Sequence, residues 1–215
     1  MEKNDLEIDN LPNRLTFFRM LMIPIVVSAL YFSEDTPHWL QKYQGYLGHV
    51  ACWIFVLASI TDYFDGYIAR KRNIVTVFGS FLDPIADKFL VVSGLIMLMG
   101  LERIHPVVVI ILVLREMYMT SLRLLAMTEE VEVPVSWMGK WKTATQMVAM
   151  PMLMLYEDFL GMDMVLIGTS LMYVAALLSL WSALKYSLSM IKKLQEKRAE
   201  KRKLKKDQKL ARESV

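Results

Sequence analysis

Apolar residues along this chain fall into six long runs, at 15–32, 47–60, 89–101, 104–126, 143–156 and 165–190, separated by short polar stretches. A helix of about 20 apolar residues crosses the ~30 Å hydrocarbon core of a bilayer. The pattern therefore predicts an all-α integral membrane protein of six transmembrane helices, with no internal repeat. Pro12 and Asn13 are helix-start residues ahead of the first run. Leu6, Ile8 and Leu11 before them have the makings of a short interfacial helix. The stretch 33–45 is a polar connection of amphipathic character. The fifth run is short and contains Pro151, which predicts a kink or tilt. The expected organisation is an N-terminal interfacial segment at 1–14, a six-helix domain at 15–190 and a basic tail at 191–215.

Composition agrees. The 215 residues are 55% hydrophobic with mean hydropathy +0.35, too apolar for an ordinary soluble domain of this length. The lone Cys52 sits in an apolar run, so it reads as a small buried hydrophobe and supports no disulfide framework. His38, His49 and His105 are scattered, without metal-ligand spacing. The first fourteen residues are polar and acidic, unlike a secretory leader or a transit peptide, so no cleavable signal is expected.

Charge is unevenly spread. From Lys185 onward twelve Lys/Arg stand against four Asp/Glu, and before it thirteen against eighteen, so the tail carries +8 and the body −5. Lys3, Arg14, Arg70, Lys71, Arg72, Lys140, Lys142 and the tail fall on one side of the predicted bundle. Only Lys42 and Arg103 fall on the other, beside Glu34, Asp35, Glu102, Glu157, Asp158 and Asp163. The positive-inside rule then puts both termini in the cytoplasm. The tail itself reads either as a solvated helical extension or as a weak ligand for anionic headgroups, worth ~1 kcal/mol per basic residue near the surface.

The chemistry concentrates in residues 62–87, DYFDGYIARKRNIVTVFGSFLDPIAD. Asp62 and Asp65 are three apart, and Asp83 and Asp87 four apart, so on helices each pair shares one face. Gly79 and Ser80 mark the start of the second of these helices. Asp62 lies fifteen residues beyond Leu47, about 22 Å along a helix, which puts both pairs at one membrane face. Facing each other across a tight turn, they make an oxygen-rich site suited to hard divalent cations. Surface carboxylates or an ion-pair network would be the bland alternative. An Asp inside a membrane helix costs about 3 kcal/mol by insertion scales, which argues for function. Intramembrane carboxylates also mark ion paths, so a cation transporter is a second class. Against it, all four Asp gather at one end, beside small residues and an Arg. Gly66 and Ala69 leave space next to the carboxylates, and close helix packing would use the same small residues. Arg19, near the start of the first run, either snorkels to headgroups or binds phosphate.

The series Asp62-x2-Asp65-Gly66-x2-Ala69-Arg70-x8-Gly79-x3-Asp83-x3-Asp87 resembles, without gap or substitution, the signature of the CDP-alcohol phosphotransferases. These membrane enzymes move a phosphatidyl or similar group from a CDP-linked donor to an alcohol. The resemblance implies that Asp62, Asp65 and Asp83 hold divalent cations, a pair of Mg²⁺ or Mn²⁺. It gives Asp87 the role of general base and further ligand. It places cytidine and its phosphates at Gly66 and Ala69, donor phosphate at Arg70, and further donor contacts at Thr76, Asn13 and Thr16. It also implies a homodimer, and no nucleic-acid partner.

Three further stretches resemble the phosphatidylglycerophosphate synthase branch of that family. They are Asn10-Leu11-Pro12-Asn13-Arg14-Leu15-Thr16-x2-Arg19, Arg115-Glu116-x3-Thr120-x2-Arg123 and Gly139-Lys140-Trp141-Lys142-Thr143. Ser121 stands where the branch often has Gly. Arg115 lies deep in its run, where a cation must face a polar cavity or a partner such as Glu116. Arg115, Arg123, Lys140 and Lys142 suit an acceptor that carries its own phosphate. Glycerol 3-phosphate fits, and inositol phosphate fits too, as for a phosphatidylinositol phosphate synthase. Free serine, choline or glycerol would not need so many cations. The plainer alternatives are positive-inside decoration for Lys140 and Lys142, and a structural ion pair with Glu116 or an Asp for Arg115. The implied activity is transfer of the phosphatidyl group of CDP-diacylglycerol to glycerol 3-phosphate, giving phosphatidylglycerol phosphate and CMP. The expected location is a bacterial plasma membrane, with the site on the cytoplasmic side.

Overall fold

Each apolar run corresponds to one α-helix of the computed structural model: α1 (Leu11–Glu34), α2 (Gln44–Arg72), α3 (Val77–Gly100), α4 (Pro106–Thr128), α5 (Trp137–Leu155) and α6 (Met164–Glu213). A 3₁₀ turn, Gln41–Tyr43, leads into α2. The structure describes residues 11–35, 37–38, 41–72, 77–129, 131, 137–157 and 161–213. Within them, 11–15, 44, 62–72, 77–84, 87, 200, 201 and 204–213 are described as helix backbone only. Among the described residues there is no β-strand.

The helices outrun the apolar runs at several ends. α1 begins at Leu11 with Pro12 in its first turn, where the missing N–H of proline is harmless. α3 begins at Val77, so Gly79 and Ser80 lie inside its first turn. α5 begins at Trp137, so Lys140 and Lys142 belong to the helix. α6 carries the sixth apolar run and the basic segment as one helix of 50 residues, about 75 Å long at 1.5 Å per residue.

The described residues form two compact units, Met1–Val109 with Thr145–Tyr173, and Ile110–Ala144 with Val174–Val215. In the first, α1 packs against α2 and α3. Leu30, Phe55, Leu90, Leu95, Leu98, Met150 and Met154 fill its interior. Small residues set how closely the helices approach. A Cβ at Gly48 would come within 3.0 Å of the Met154 carbonyl oxygen, so α2 meets the backbone of α5 there. In the second unit, Met119, Ala126, Ala183, Tyr186 and Met190 form the core, with Leu122 and Leu194 packed against it. The Tyr118 hydroxyl bonds Ser187 Oγ at 2.9 Å, and Lys197 Nζ donates to the Glu129 carbonyl.

Large apolar side chains also cover the outside. Trp53, Leu57, Leu114, Leu177 and Leu184 are each at least 60% exposed. Water would not tolerate so many large exposed apolar side chains, and lipid does. Among the described residues, two segments, Thr16–Glu34 and Met164–Ala199, are long and apolar enough to cross a bilayer. Gly45–Thr61 and Lys88–Gly100 are shorter apolar helices.

Arg103 joins the α3–α4 connection to the end of α5. Its Nη1 donates to the carbonyls of Leu153 (3.2 Å) and Met154 (2.9 Å), which have no partner within their own helix. Its guanidinium stacks 4.5 Å from the Tyr156 ring centroid, and Nη2 lies 3.9 Å from Glu34 Oε1. Burial lowers the Arg103 pKa from its ordinary value, while Glu34 and Tyr156 act in the opposite direction. A cation at a helix C-terminus is favourable with the macrodipole as well. Arg103→Ala is expected to destabilise the protein by about 3 kcal/mol, from charged hydrogen bonds and the ring contact together. Thermal unfolding in detergent checks this, with activity per folded molecule retained.

Candidate active site

α2 runs unbroken through Asp62, Asp65, Gly66, Ala69 and Arg70, and α3 through Asp83 and Asp87. The carboxylate pairs thus occupy positions i,i+3 and i,i+4 of continuous helices. Asp62 follows the start of α2 by eighteen residues, about 27 Å of rise. Asp83 and Asp87 come in the second and third turns of α3. The side chains of these seven residues, and that of Asn13, lie outside the described set, as does Thr76 altogether. Of the described residues nearest the carboxylates along α2 and α3, Ala58, Ala86 and Leu90 are buried. Ser59 Oγ donates to the Phe55 carbonyl at 2.8 Å. The Thr61 hydroxyl donates back to the Leu57 carbonyl at 2.7 Å, so both hydroxyls are satisfied within α2.

α1 brings two polar residues into the same unit. Thr16 is fully buried and Arg19 is 1% exposed, and both are engaged in polar or electrostatic contacts. A guanidinium so deeply covered does not reach headgroups, which removes the snorkelling alternative for Arg19. Arg19 joins Thr16 as a buried polar group on the helix that packs against both Asp-bearing helices.

The second unit contains a separate cluster of charges. Arg115 is 7% exposed and Lys142 3%. Arg115 Nη1 donates to Glu116 Oε2 at 3.2 Å, and Lys142 Nζ donates to the same oxygen at 2.9 Å. Arg115 Nη2 donates to Ser182 Oγ at 2.7 Å, and its Nε to the Ser179 carbonyl at 3.4 Å. α4, α5 and α6 are therefore tied through one arginine and one glutamate. The other two cations are outside this cluster. Arg123 is exposed, and Lys140 is exposed with Nζ 5.5 Å from the Trp137 ring centroid. Arg115 also lines a groove of about 430 Å³ between α4 and α6, walled by Ile111, Leu114, Leu180 and Leu184. Sequence reading missed Ser182 and Gln146 (3% exposed) as buried polar positions, while Arg19, weighed there between headgroups and phosphate, is buried. The signal in the sequence was a polar residue inside an apolar run, and nothing there said which face it took.

A family model described as CDP-alcohol phosphatidyltransferase matches residues 9–181 of the chain. The chain belongs to the CDP-alcohol phosphatidyltransferase family. Three relatives carry the name CDP-diacylglycerol–glycerol-3-phosphate 3-phosphatidyltransferase. That of Rickettsia felis is 38% identical over 178 residues, covering 82% of this chain and 93% of its own. That of Haemophilus influenzae is 36% identical over 183 residues, covering 82% and 91%. That of Salmonella choleraesuis is 37% identical over 183 residues, covering 82% and 92%. This CDP-alcohol phosphatidyltransferase carries its acidic signature, Asp62 to Asp87, inside the matched region. Among its described residues, which leave out the side chains of these four Asp, no group of three or more His, Cys, Asp or Glu could hold a metal ion. Four carboxylates and no soft ligand make a donor set that fits a hard divalent cation.

Proposed function

We propose that this membrane enzyme transfers the phosphatidyl group of CDP-diacylglycerol to glycerol 3-phosphate, releasing CMP and phosphatidylglycerol phosphate. The observation that carries the reading is the 36% to 39% identity to relatives of that name over more than four fifths of the chain. The chain would act as six membrane spans with both termini and the carboxylates on the cytoplasmic side of a bacterial plasma membrane, as a homodimer. Six helices and a Lys/Arg excess on one side support that arrangement.

Asp62, Asp65 and Asp83, with Asp87, would hold Mg²⁺ or Mn²⁺, which when bound neutralises phosphate charge and makes CMP a better leaving group. Asp87 would accept the proton of the glycerol 3-phosphate hydroxyl. The freed oxygen attacks the phosphorus on the diacylglycerol side of the diphosphate, and the bond from that phosphorus to the CMP oxygen breaks. Gly66 and Ala69 leave room for cytidine, and Arg70, Thr76, Asn13 and Thr16 would contact the donor. Arg115, Lys142, Arg123 and Lys140 would attract the acceptor phosphate. Burial of the first two makes them the stronger members, since a covered cation is poorly screened.

The test is CMP release by the purified protein with CDP-diacylglycerol, a divalent cation and one acceptor at a time. Release is expected with glycerol 3-phosphate, absent with free glycerol, and lost on adding a chelator. Equal release with inositol phosphate would move the protein to another branch. Release that survives chelation would remove the ion-holding role of the four carboxylates.

A further inference from the structure

We infer that Glu116 is a positioning residue of the acceptor site, holding Arg115 and Lys142 together as one phosphate-binding pair. The inference rests on the reading above that those two cations receive the acceptor phosphate. One oxygen, Glu116 Oε2, lies 3.2 Å from Arg115 Nη1 and 2.9 Å from Lys142 Nζ, so the two nitrogens are at most about 6 Å apart. Two oxygens of one phosphate can bridge donors at that spacing. Left to themselves, two buried cations so close would repel, because low dielectric leaves their charges unscreened. Glu116 supplies the negative charge between them.

The geometry also explains why the carboxylate comes from this position. Adjacent residues on a helix do not face each other. Arg115 nonetheless reaches Glu116 because its guanidinium is turned and fixed by α6: Nη2 on Ser182 Oγ and Nε on the Ser179 carbonyl. That leaves Nη1 for the side shared with Lys142. Lys142 comes from α5, 26 residues further along the chain. Its ammonium has a flexible four-carbon stem and no fork to orient it. The contact with Glu116 thus registers the lysine against the arginine. A carboxylate repels phosphate, so Glu116 acts through the cations and does not bind the acceptor itself.

Full-length protein in detergent, assayed by CMP release, tests this. Glu116→Gln is expected to raise the KM for glycerol 3-phosphate about tenfold, with the KM for CDP-diacylglycerol and kcat at saturating acceptor changed less than twofold. Glu116→Asp, which keeps the charge on a shorter arm, is expected to recover part of the loss. An unchanged acceptor KM in folded Glu116→Gln overturns the proposal. So does a joint fall in kcat and both substrates' affinity with a lower unfolding temperature, which is what a purely structural tie would give. Should Glu116→Gln not fold, Glu116→Asp decides. An acceptor KM raised about threefold with donor KM constant supports the proposal, and no change overturns it. Arg115→Ala and Lys142→Ala separate the two layers. If neither moves the acceptor KM, the acceptor-site reading fails and this proposal fails with it. If both move it and Glu116→Gln does not, only the role of Glu116 falls.

Discussion

Asp87→Asn is expected to lower CMP release by ~10²–10⁴-fold, the usual contribution of a positioned general base. The substitution keeps size and shape but removes the only function a base needs, an oxygen that takes a proton near neutral pH. Binding of the CDP-linked donor should persist, because three carboxylates of the set remain and the small positions Gly66 and Ala69 are untouched. The measurement pairs turnover with equilibrium binding of a CDP-linked nucleotide. CMP release at nearly the wild-type rate would show that another group takes the proton. Loss of binding together with turnover would make Asp87 chiefly an ion-holding residue.

Arg115→Ala is expected to have the largest effect outside the carboxylate set. It removes the pairing with Glu116 and the bonds to Ser182 Oγ and the Ser179 carbonyl, all at a residue 7% exposed. Breaking a buried charge pair by deleting one partner costs about 3–5 kcal/mol. Lys142 still contacts Glu116 at 2.9 Å, so the lower end of that range applies. The unfolding temperature should fall clearly. In the fraction that stays folded, the KM for glycerol 3-phosphate should rise more than that for CDP-diacylglycerol. Arg115→Lys should restore little of either, because one ammonium cannot satisfy three acceptors set around a planar fork. An acceptor KM equal to wild type in folded Arg115→Ala would confine Arg115 to a structural role.

Much of the architecture was readable along the chain. Six apolar runs became six helices, since helix formation in an apolar run is a local property set over three or four residues. The acidic signature was legible for the same reason: spacings of three and four are determined within one helix, and the family match covers them. Helix ends were less legible. α5 reaches back to Trp137 and α6 on to Glu213 because polar and cationic residues such as Lys and Glu are good helix formers, and hydropathy alone does not register them.

The sequence by itself was enough for the family, the reaction class and the order of the helices, because each depends on residues close together in the chain. Which charges meet was decided by packing. Arg115 and Ser182 are 67 residues apart, and Arg103 lies 51 from the Met154 carbonyl it caps. In the chain Arg103 was one positive charge on the outer side; in the fold it closes the end of α5. Lys140 and Lys142 likewise read alike in the chain, yet Lys142 is buried with Arg115 on a shared carboxylate oxygen while Lys140 is exposed. A cation's partner depends on the rotation of each helix about its axis, and that rotation is set jointly by every residue at the helix contacts.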